Sequence, residues 1–354
     1  MPALSTNQLT QIAHTITPQI YQSYMREVTA ELSDFVQSGI AVADSRVSEN
    51  IDSGGLLVNM PFWNDLDGVD ETLDDGVTPL TTGRIEASND IAAVLYRGRG
   101  WQVNELAAVT SGDDPLGALM ARIGAWWTRR EQAVLISTLK GLFAEDGTLY
   151  DTHFLDGSDE NISPELVLST KQLLGDSSWK VNQMAIHSQT YTQLQKQNLI
   201  EYIPNARGEI VIPTYLNYRL TIDDGIPFDK TTGVFTSYMF GAGSLGRNSG
   251  NPSKLTLFEL DRDAARGNDY VYTRRAITMH PYGCRWTDAE RESGKVTPTN
   301  TDLENPKNWQ LVYEPKNVSL LAFQHKIDGF DIVSYNKRTN NQTKKPVPKN
   351  KEVI

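Results

Sequence analysis

The stretch IAAVLYRGRGWQVNELAAVTSGDDPLGALMARIGAWWTRREQAVLISTLKGLF, residues 91–143, decides the fold. Its first part, residues 91–103, is rich in apolar, β-branched and aromatic residues and predicts a strand. Its last part predicts a single helix over residues 115–140. Such a helix is about 39 Å long at 1.5 Å per residue, whereas the mean helix has about 11–12 residues.

The ends of this helix carry helix-boundary residues. Asp113 or Asp114 is placed to cap it, Pro115 fits the first helical position, and Gly141 is placed to end it. Apolar residues follow helical spacing along more than one stripe. Periodicity leaves two interpretations open: the central helix of an ordinary α+β core, or the spine of a thin subunit that packs against sheets and neighbouring subunits.

Composition excludes several classes of protein. A chain of 354 residues with 39% hydrophobic residues holds one elaborate domain or two. No apolar run reaches the roughly 18 residues of a transmembrane helix, and the N-terminus resembles no signal peptide, so we expect no membrane association. Cys284 is the only cysteine, so an intrachain disulfide is excluded, which fits a reducing cytoplasm.

The charge is unevenly distributed. The net charge is −11, the wrong sign for a protein that grips nucleic acid over its whole surface. Residues 336–354 nevertheless carry a local charge of +5, which leaves −16 on the remainder. This polar segment lacks periodicity and is predicted to be disordered. It is either a solubilising tail or a loose electrostatic contact with nucleic acid or an acidic partner.

A long two-stranded arm is predicted before the helix. Residues 1–16 are predicted to be a flexible arm, and Thr17 and Pro18 open an amphipathic helix that ends at Gly39. The apolar strand LLVNMPFW, residues 56–63, is then separated from the strand at 91–103 by a turn-rich excursion. A hairpin this long is marginal alone, so we expect it to lie on its own domain or on another chain.

The excursion is acidic and has no lysine or arginine in its first part. Its acidic residues are Asp65, Asp67, Asp70, Glu71, Asp74 and Asp75. Their order does not match an EF-hand, so a solvated tip, or a loop that meets arginines of a neighbour, is favoured over a calcium site. Arg97 and Arg99 on the return strand are candidate partners, and Trp63 is a further candidate interface residue.

Helices and strands are mixed in the second half of the chain without a regular βαβ rhythm, which predicts an α+β fold. Ser163 is predicted to cap a helix that begins at Pro164, and Ser188 to cap the next. The spacing GxGxxG occurs at 241–246, but the sequence that follows does not predict a helix, so a nucleotide site is not supported.

Catalytic and metal-binding patterns are also weak. His187 and Ser188 are adjacent but lack a GxSxG elbow, and Ser188 is explained as a cap. The five histidines, at 14, 153, 187, 280 and 325, have no zinc-ligand spacing. A carboxylate pair among the many acidic residues is not excluded by sequence. We therefore predict no enzyme activity, no cofactor and no metal site.

The ordered set of these features resembles the tailed-bacteriophage major capsid proteins of the Hong Kong 97-like fold. It comprises an N-terminal helix ending in QSGI, a long hairpin, residues 94–143, the run FELDRDAARGNDYVYTRRAITMHPYGCRW, and TPTNTDLENPKNWQLVYEPKNVSLLAFQHKI. The resemblance spans roughly residues 15–330. It implies these parts of the chain: an N-arm at 1–55, an E-loop at 56–103, a P domain with the spine helix at 104–149, an A domain at 150–280, return strands of the P domain at 281–335, and a basic tail at 336–354.

The resemblance also implies a function. Hexamers and pentamers would close into an icosahedral shell that encloses double-stranded DNA without binding it specifically, assembled in the host cytoplasm and present in the virion. The first lysine is Lys140, so the E-loop lacks the lysine that cross-links some members, and we expect non-covalent contacts, with a cementing protein as an optional addition. Some members carry an N-terminal scaffolding domain, but here the N-arm helix is reached by Thr17, so we expect a separate scaffolding protein, together with a portal. The alternatives are a shell of a non-viral compartment, and a soluble glycan-binding protein or hydrolase that uses its tryptophans for stacking.

Overall fold

The computed structural model describes residues 38–47, 51–52, 54–72, 80–106, 115–204, 210–292 and 294–330. The predicted helix from Thr17 to Gly39 lies almost wholly outside these ranges, and so do the Asp113 or Asp114 cap and the basic tail. The α-helices of the described ranges are α1 Pro115–Leu142, α2 Tyr150–His153, α3 Pro164–Gln172, α4 Ser188–Lys196 and α5 Asn300–Glu304.

Strands are more numerous than helices in the described ranges. They are β1 Ala41–Ala43, β2 Leu57–Trp63, β3 Ala87–Asn104, β4 Phe154–Leu155, β5 Val181–Ile186, β6 Glu201–Pro204, β7 Ile210–Tyr215, β8 Tyr218–Ile222, β9 Phe235–Gly241, β10 Leu245–Gly250, β11 Phe258–Asp263, β12 Asn268–Pro281, β13 Cys284–Trp286, β14 Trp309–Leu311 and β15 Leu320–His325.

The chain divides into two units by its own contacts. Unit 1 comprises Met1–Thr152 and Gly241–Ser319, and unit 2 comprises His153–Phe240 and Leu320–Ile354. These boundaries differ from the A domain predicted at 150–280, because β10, β11 and β12 belong to the sheet of unit 1. They also differ from the return strands predicted at 281–335, because β15 pairs with β9 in unit 2.

Unit 1 is built on a six-stranded sheet around two long strands: β3 pairs with two other strands and β12 pairs with three. Its order is β1-β10-β12-β3-β2, and β11 also pairs with β12. The first half of β3 pairs with β2, and its second half pairs with β12. Because β3 begins at Ala87 rather than near Ile91, it is longer than the predicted strand. It is therefore continuous from the hairpin into the sheet.

Helix α1 packs along this sheet of unit 1. Ile123 and Trp127 are buried against Phe258 and Val271, and the Trp127 indole N–H donates to the Thr273 hydroxyl at 3.1 Å. The predicted helix is confirmed as one element of 28 residues. This packing uses the apolar spacing that predicted the helix.

Gly141 does not end the helix as predicted. The helix continues to Leu142, and a Cβ at position 141 would collide with the Leu303 carbonyl of α5. The same carbonyl accepts a hydrogen bond from the Trp309 indole at 2.9 Å. Gly141 is therefore explained by close approach of two helices rather than by chain termination.

Unit 2 is a seven-stranded mixed sheet with helices, in the order β4-β15-β9-β5-β8-β7-β6. Helix α3 is capped as predicted, since the Ser163 side chain accepts from the Leu166 N–H. The helix predicted to begin at Ser188 is confirmed as α4, but the predicted cap was wrong. His187 is the N-cap and its Nδ1 accepts from the Gln189 N–H, while Ser188 is the first helical residue. The two units together confirm the α+β class.

Candidate assembly surfaces

The hairpin of β2 and β3 is the first candidate surface. The two strands are paired from Leu57 opposite Ala93 to Trp63 opposite Ala87. One further backbone bond, from Asn64 N–H to the Glu86 carbonyl at 2.8 Å, extends the ladder towards the tip. We call the paired residues 57–63 and 87–93 the arm strands, and the described residues between them, 64–72 and 80–86, the arm tip.

The root of the arm is fixed by buried polar contacts. Asp90 of β3 and His280 of β12 are both fully buried, and their Oδ1 and Nε2 atoms are 2.9 Å apart. The other Asp90 oxygen accepts from the Gly283 N–H at 3.0 Å. The Tyr96 hydroxyl donates to the Gly55 carbonyl at 2.8 Å. The root therefore belongs to the folded sheet.

The arm tip is exposed and rich in carboxylates. Asp65, Asp67 and Asp70 are exposed, whereas Asp74 and Asp75 lie outside the described residues. Glu71 is bound within the tip, because the Thr81 hydroxyl and N–H donate to its carboxylate and hold its pKa below its usual value. Asp67 and Asp70 make no ion pair with any residue that the structure describes.

Large apolar side chains on the arm are exposed beside these carboxylates. Trp63 is 68% exposed, Leu66 74% and Val69 89%, and Leu80 and Ile85 are exposed on the returning side. Contiguous apolar side chains in water mark interaction sites. The arm therefore presents a surface that is both acidic and apolar, and that the arm itself does not cover.

The two arginines predicted as partners of the acidic segment have different surroundings. Arg99 is exposed on β3. Arg97 is half-buried, and its Nη2 donates to the Pro298 carbonyl at 2.7 Å and to Asn300 Oδ1 at 3.1 Å. Its Nε is buried without an acceptor among the described residues. Burial lowers the pKa of Arg97, an effect that the Asp302 carboxylate partly opposes.

A cleft between α1 and the sheet is the second candidate surface. It has a volume of about 300 Å³. Its lining residues come from α1, β3, β12 and α5: Arg97, Gly98, Trp126, Trp127, Arg130, Val134, Ile277 and Asn300. Trp126 packs edge-on against Trp101 and Trp127, and the Arg130 guanidinium lies 5.9 Å from its ring centroid. We call this site the arginine cleft.

A buried ionic cluster lies next to the cleft along α1. Glu131, which follows Arg130, is 2% exposed. It accepts from Arg247 at 2.5 and 3.0 Å and from Arg275 at 2.8 Å. Arg275 pairs with Arg97 in the register of β12 and β3. The neighbourhood of the cleft thus holds more arginines than carboxylates.

Catalytic and metal chemistry finds little support in the part of the chain that the structure describes. No group of three metal-ligating side chains occurs among these residues. The four described histidines are all buried, at 153, 187, 280 and 325. Gly241 ends β9 and Leu245 begins β10, so the GxGxxG segment joins two strands and opens no helix. No described helix is long and apolar enough to cross a membrane.

One relative decides the family. The major capsid protein of Bacillus phage SPP1 is 36% identical to this chain over 326 residues, which cover 90% of this chain and 99% of that protein. The chain belongs to the bacteriophage major capsid protein family. No protein-family model matches the sequence.

Solved structures show that this capsid protein has the Hong Kong 97-like fold. The match to the cyanophage Pam1 capsid covers 84% of this chain and 93% of the Pam1 chain, at 11% identity and a TM-score of 0.53. The match to the Ralstonia phage GP4 capsid covers 78% of this chain and 85% of the GP4 chain, at 9% identity and a TM-score of 0.53. The match to a Mycobacterium phage Bobi structure covers 84% of this chain and 91% of the Bobi chain, at 8% identity and a TM-score of 0.51. These structures confirm the predicted fold, and the SPP1 relative confirms the predicted capsid function.

The structure places the predicted site residues of this capsid protein in different surroundings. Arg97 lines a cleft, whereas Arg99, Trp63 and the described carboxylates of the tip are exposed. Sequence reasoning missed the cleft, although Trp126 and Arg130 are four residues apart on a helix and must share a face. Their partner Arg97 is distant in sequence, and only the fold brings it there.

Proposed function

We propose that this capsid protein is a structural, non-enzymatic subunit that assembles as hexamers and pentamers into an icosahedral shell around double-stranded DNA. The SPP1 relative and the capsid structures support the shell. The observation that carries the proposal is the arm, whose root is buried in the sheet and whose outer part exposes Trp63, Leu66 and Val69. In a shell, a second copy of the subunit would cover these exposed side chains.

The domain names follow as part of the same proposal. Residues 56–103 act as the E-loop that lies on a neighbouring subunit, and α1 acts as the spine of the P domain. The chain from 1 to 55 forms the N-arm, and the basic tail at 336–354 makes a loose electrostatic contact or only solubilises the subunit. A scaffolding protein, a portal and a cementing protein act with it, and assembly takes place in the host cytoplasm before the shell becomes part of the virion.

The shell is held by non-covalent contacts in this proposal. Since Lys140 is the first lysine of the chain, the arm offers no amine for an isopeptide bond. A denaturing gel of purified shells tests this point. We expect a single band at the subunit mass of 39.5 kDa, and a ladder of covalent oligomers would contradict it.

The assembly itself is tested by light scattering of the purified protein, followed by negative-stain electron microscopy, with and without the scaffolding protein from the same phage genome. We expect closed shells, or capsomers that convert to shells when scaffold is added. A stable 39.5 kDa monomer under every salt and scaffold condition would overturn the proposal. Closed shells that package a protein cargo instead of DNA would favour a non-viral compartment.

A further inference from the structure

The arginine cleft holds positive charge that no carboxylate of the described residues pairs with. Neither Arg97 nor Arg130 pairs with a carboxylate among the described residues, and the Arg97 Nε is buried without an acceptor. Arg130 is exposed to water, whereas Arg97 is half-buried and its unpartnered Nε donor costs free energy. Arg97 and Arg130 are both fork-shaped donors that suit the two oxygens of a carboxylate.

The surroundings do not supply the missing anion. Glu131 is the closest carboxylate along α1, but its two oxygens already accept from Arg247 and Arg275. Asp302 acts on Arg97 at longer range, but its oxygens accept from the Thr299 and Glu292 N–H groups. The cleft is therefore complementary to an acidic group that comes from outside this copy of unit 1.

The arm tip has the complementary chemistry. Asp67 and Asp70 are exposed carboxylates that pair with nothing in the described chain, and they alternate with the exposed Leu66 and Val69. The cleft places the Trp126 indole beside its arginines. A segment that carries both carboxylates and aliphatic side chains would satisfy both chemistries at once.

We infer that the arginine cleft of one copy binds Asp67 or Asp70 in the arm tip of a second copy, with Leu66 or Val69 against Trp126. The inference rests on the proposed shell and specifies which surfaces of two subunits meet. Nucleic-acid phosphate is the competing ligand for an arginine cleft. The carboxylate is favoured because the whole chain is acidic and because the arm tip also supplies apolar side chains, which a phosphate backbone lacks.

Disulfide trapping tests the contact in assembled shells. One variant carries Asp70→Cys and another carries Arg130→Cys. The native Cys284 is buried, and burial raises the pKa of its thiol, so it stays unreactive. When the two variants are assembled together and oxidised, we expect disulfide-linked dimers that contain one subunit of each variant. A subunit that carries both cysteines should give a ladder of larger cross-linked oligomers. Shells that assemble normally without cross-links, also when Asp67→Cys replaces Asp70→Cys, would overturn the inference and leave the proposed function intact.

Charge reversal provides an independent measurement with a matched control. Arg130→Glu should slow shell assembly by about tenfold or more, whereas Arg129→Glu, an exposed neighbour that does not line the cleft, should change it little. Asp67→Arg combined with Asp70→Arg should restore assembly to the Arg130→Glu subunit. Equal effects of both arginine variants would contradict the inference. Normal assembly of Arg130→Glu shells that lose DNA at lower salt would assign the cleft to phosphate instead.

Discussion

Truncation of Glu131 is the sharpest test of how α1 is held on the sheet of unit 1. Its side chain is 3% exposed, and its two oxygens accept three hydrogen bonds from Arg247 and Arg275, which are 17% and 12% exposed. Glu131→Ala removes the only acceptor of these bonds and leaves two nearly buried guanidinium groups without it. Breaking a buried ion pair in this way costs about 3–5 kcal/mol.

Simple addition would exceed this figure. Three charge-assisted hydrogen bonds at about 1.5–3 kcal/mol each would sum to about 4.5–9 kcal/mol. However, both arginines keep a small exposed area through which water regains part of the loss, and Arg275 lies over the Trp127 ring at 5.0 Å, which continues to hold it. We therefore expect about 3–5 kcal/mol rather than the full sum.

Urea unfolding of the unassembled subunit measures this loss. With a slope of about 3 kcal/mol per molar urea, the transition midpoint should fall by roughly 1–1.7 M. Tryptophan fluorescence reports mainly on unit 1, which contains every tryptophan except Trp179. The matched control is Glu259→Ala, because Glu259 pairs with Arg274 at 3.1 Å while half exposed, and exposed pairs contribute below about 1 kcal/mol. Equal midpoints for the two variants would refute the reasoning.

Three further changes have defined outcomes. Gly141→Ala should destabilise unit 1 by about 1–3 kcal/mol through overpacking against the Leu303 carbonyl, measured by the same unfolding, and an unchanged midpoint would show that α5 can move away. Ser163→Ala should cost about 1 kcal/mol in unit 2 by loss of a helix cap, and Ser163→Thr should retain most of it. Burial lowers the pKa of His325 to about 4, so as the pH falls the unfolded chain takes up a proton at this histidine before the folded chain does. The free energy of unfolding should therefore be unaffected by His325 above about pH 6.5 and fall by about 3 kcal/mol towards pH 4. His325→Gln should remove this pH dependence.

The hydrogen bonds of His325 make the pH prediction specific. A carbonyl oxygen only accepts, so Nδ1 carries the proton that it donates to Lys326, and Nε2 accepts from the Ser237 hydroxyl. Protonation of Nε2 would replace an accepted hydrogen bond by a buried charge. A slope that persists in the Gln variant would place the acid sensitivity elsewhere.

Local patterns in the sequence predicted much of unit 1 and parts of unit 2. The long helix, the strand pair of the arm and the Ser163 cap depend on neighbouring residues, and each was confirmed. The order of the strands was not predictable, because β10, β12 and β3 are brought together from distant parts of the chain. The predicted domain boundaries at 280 and 335 differ from the observed division for the same reason.

Individual residues show where local reasoning stops. Glycine is typical of the residue that ends a helix, but Gly141 is required by the close approach of Leu303, which lies far along the chain. Serine is a common N-cap residue, but His187 rather than Ser188 occupies the N-cap position, because its imidazole accepts a hydrogen bond from the Gln189 N–H. Arg97 is a predicted partner for acidic residues, but its contacts with Pro298 and Asn300 join residues about 200 positions apart, which local patterns do not predict.

The long strand β3 connects the two candidate surfaces of the capsid protein. Its first residues, from Ala87 to Ala93, form the arm, and Arg97 and Gly98 line the cleft a few residues later. If the arm of one copy fills the cleft of the next, the contact joins two different surfaces. Such a head-to-tail contact closes into a ring when the rotation between copies is an integral fraction of a turn. Pentamers and hexamers then require only a small change in that rotation. The exposed arm tip, rather than the buried root of the arm, is the part that can accommodate this change.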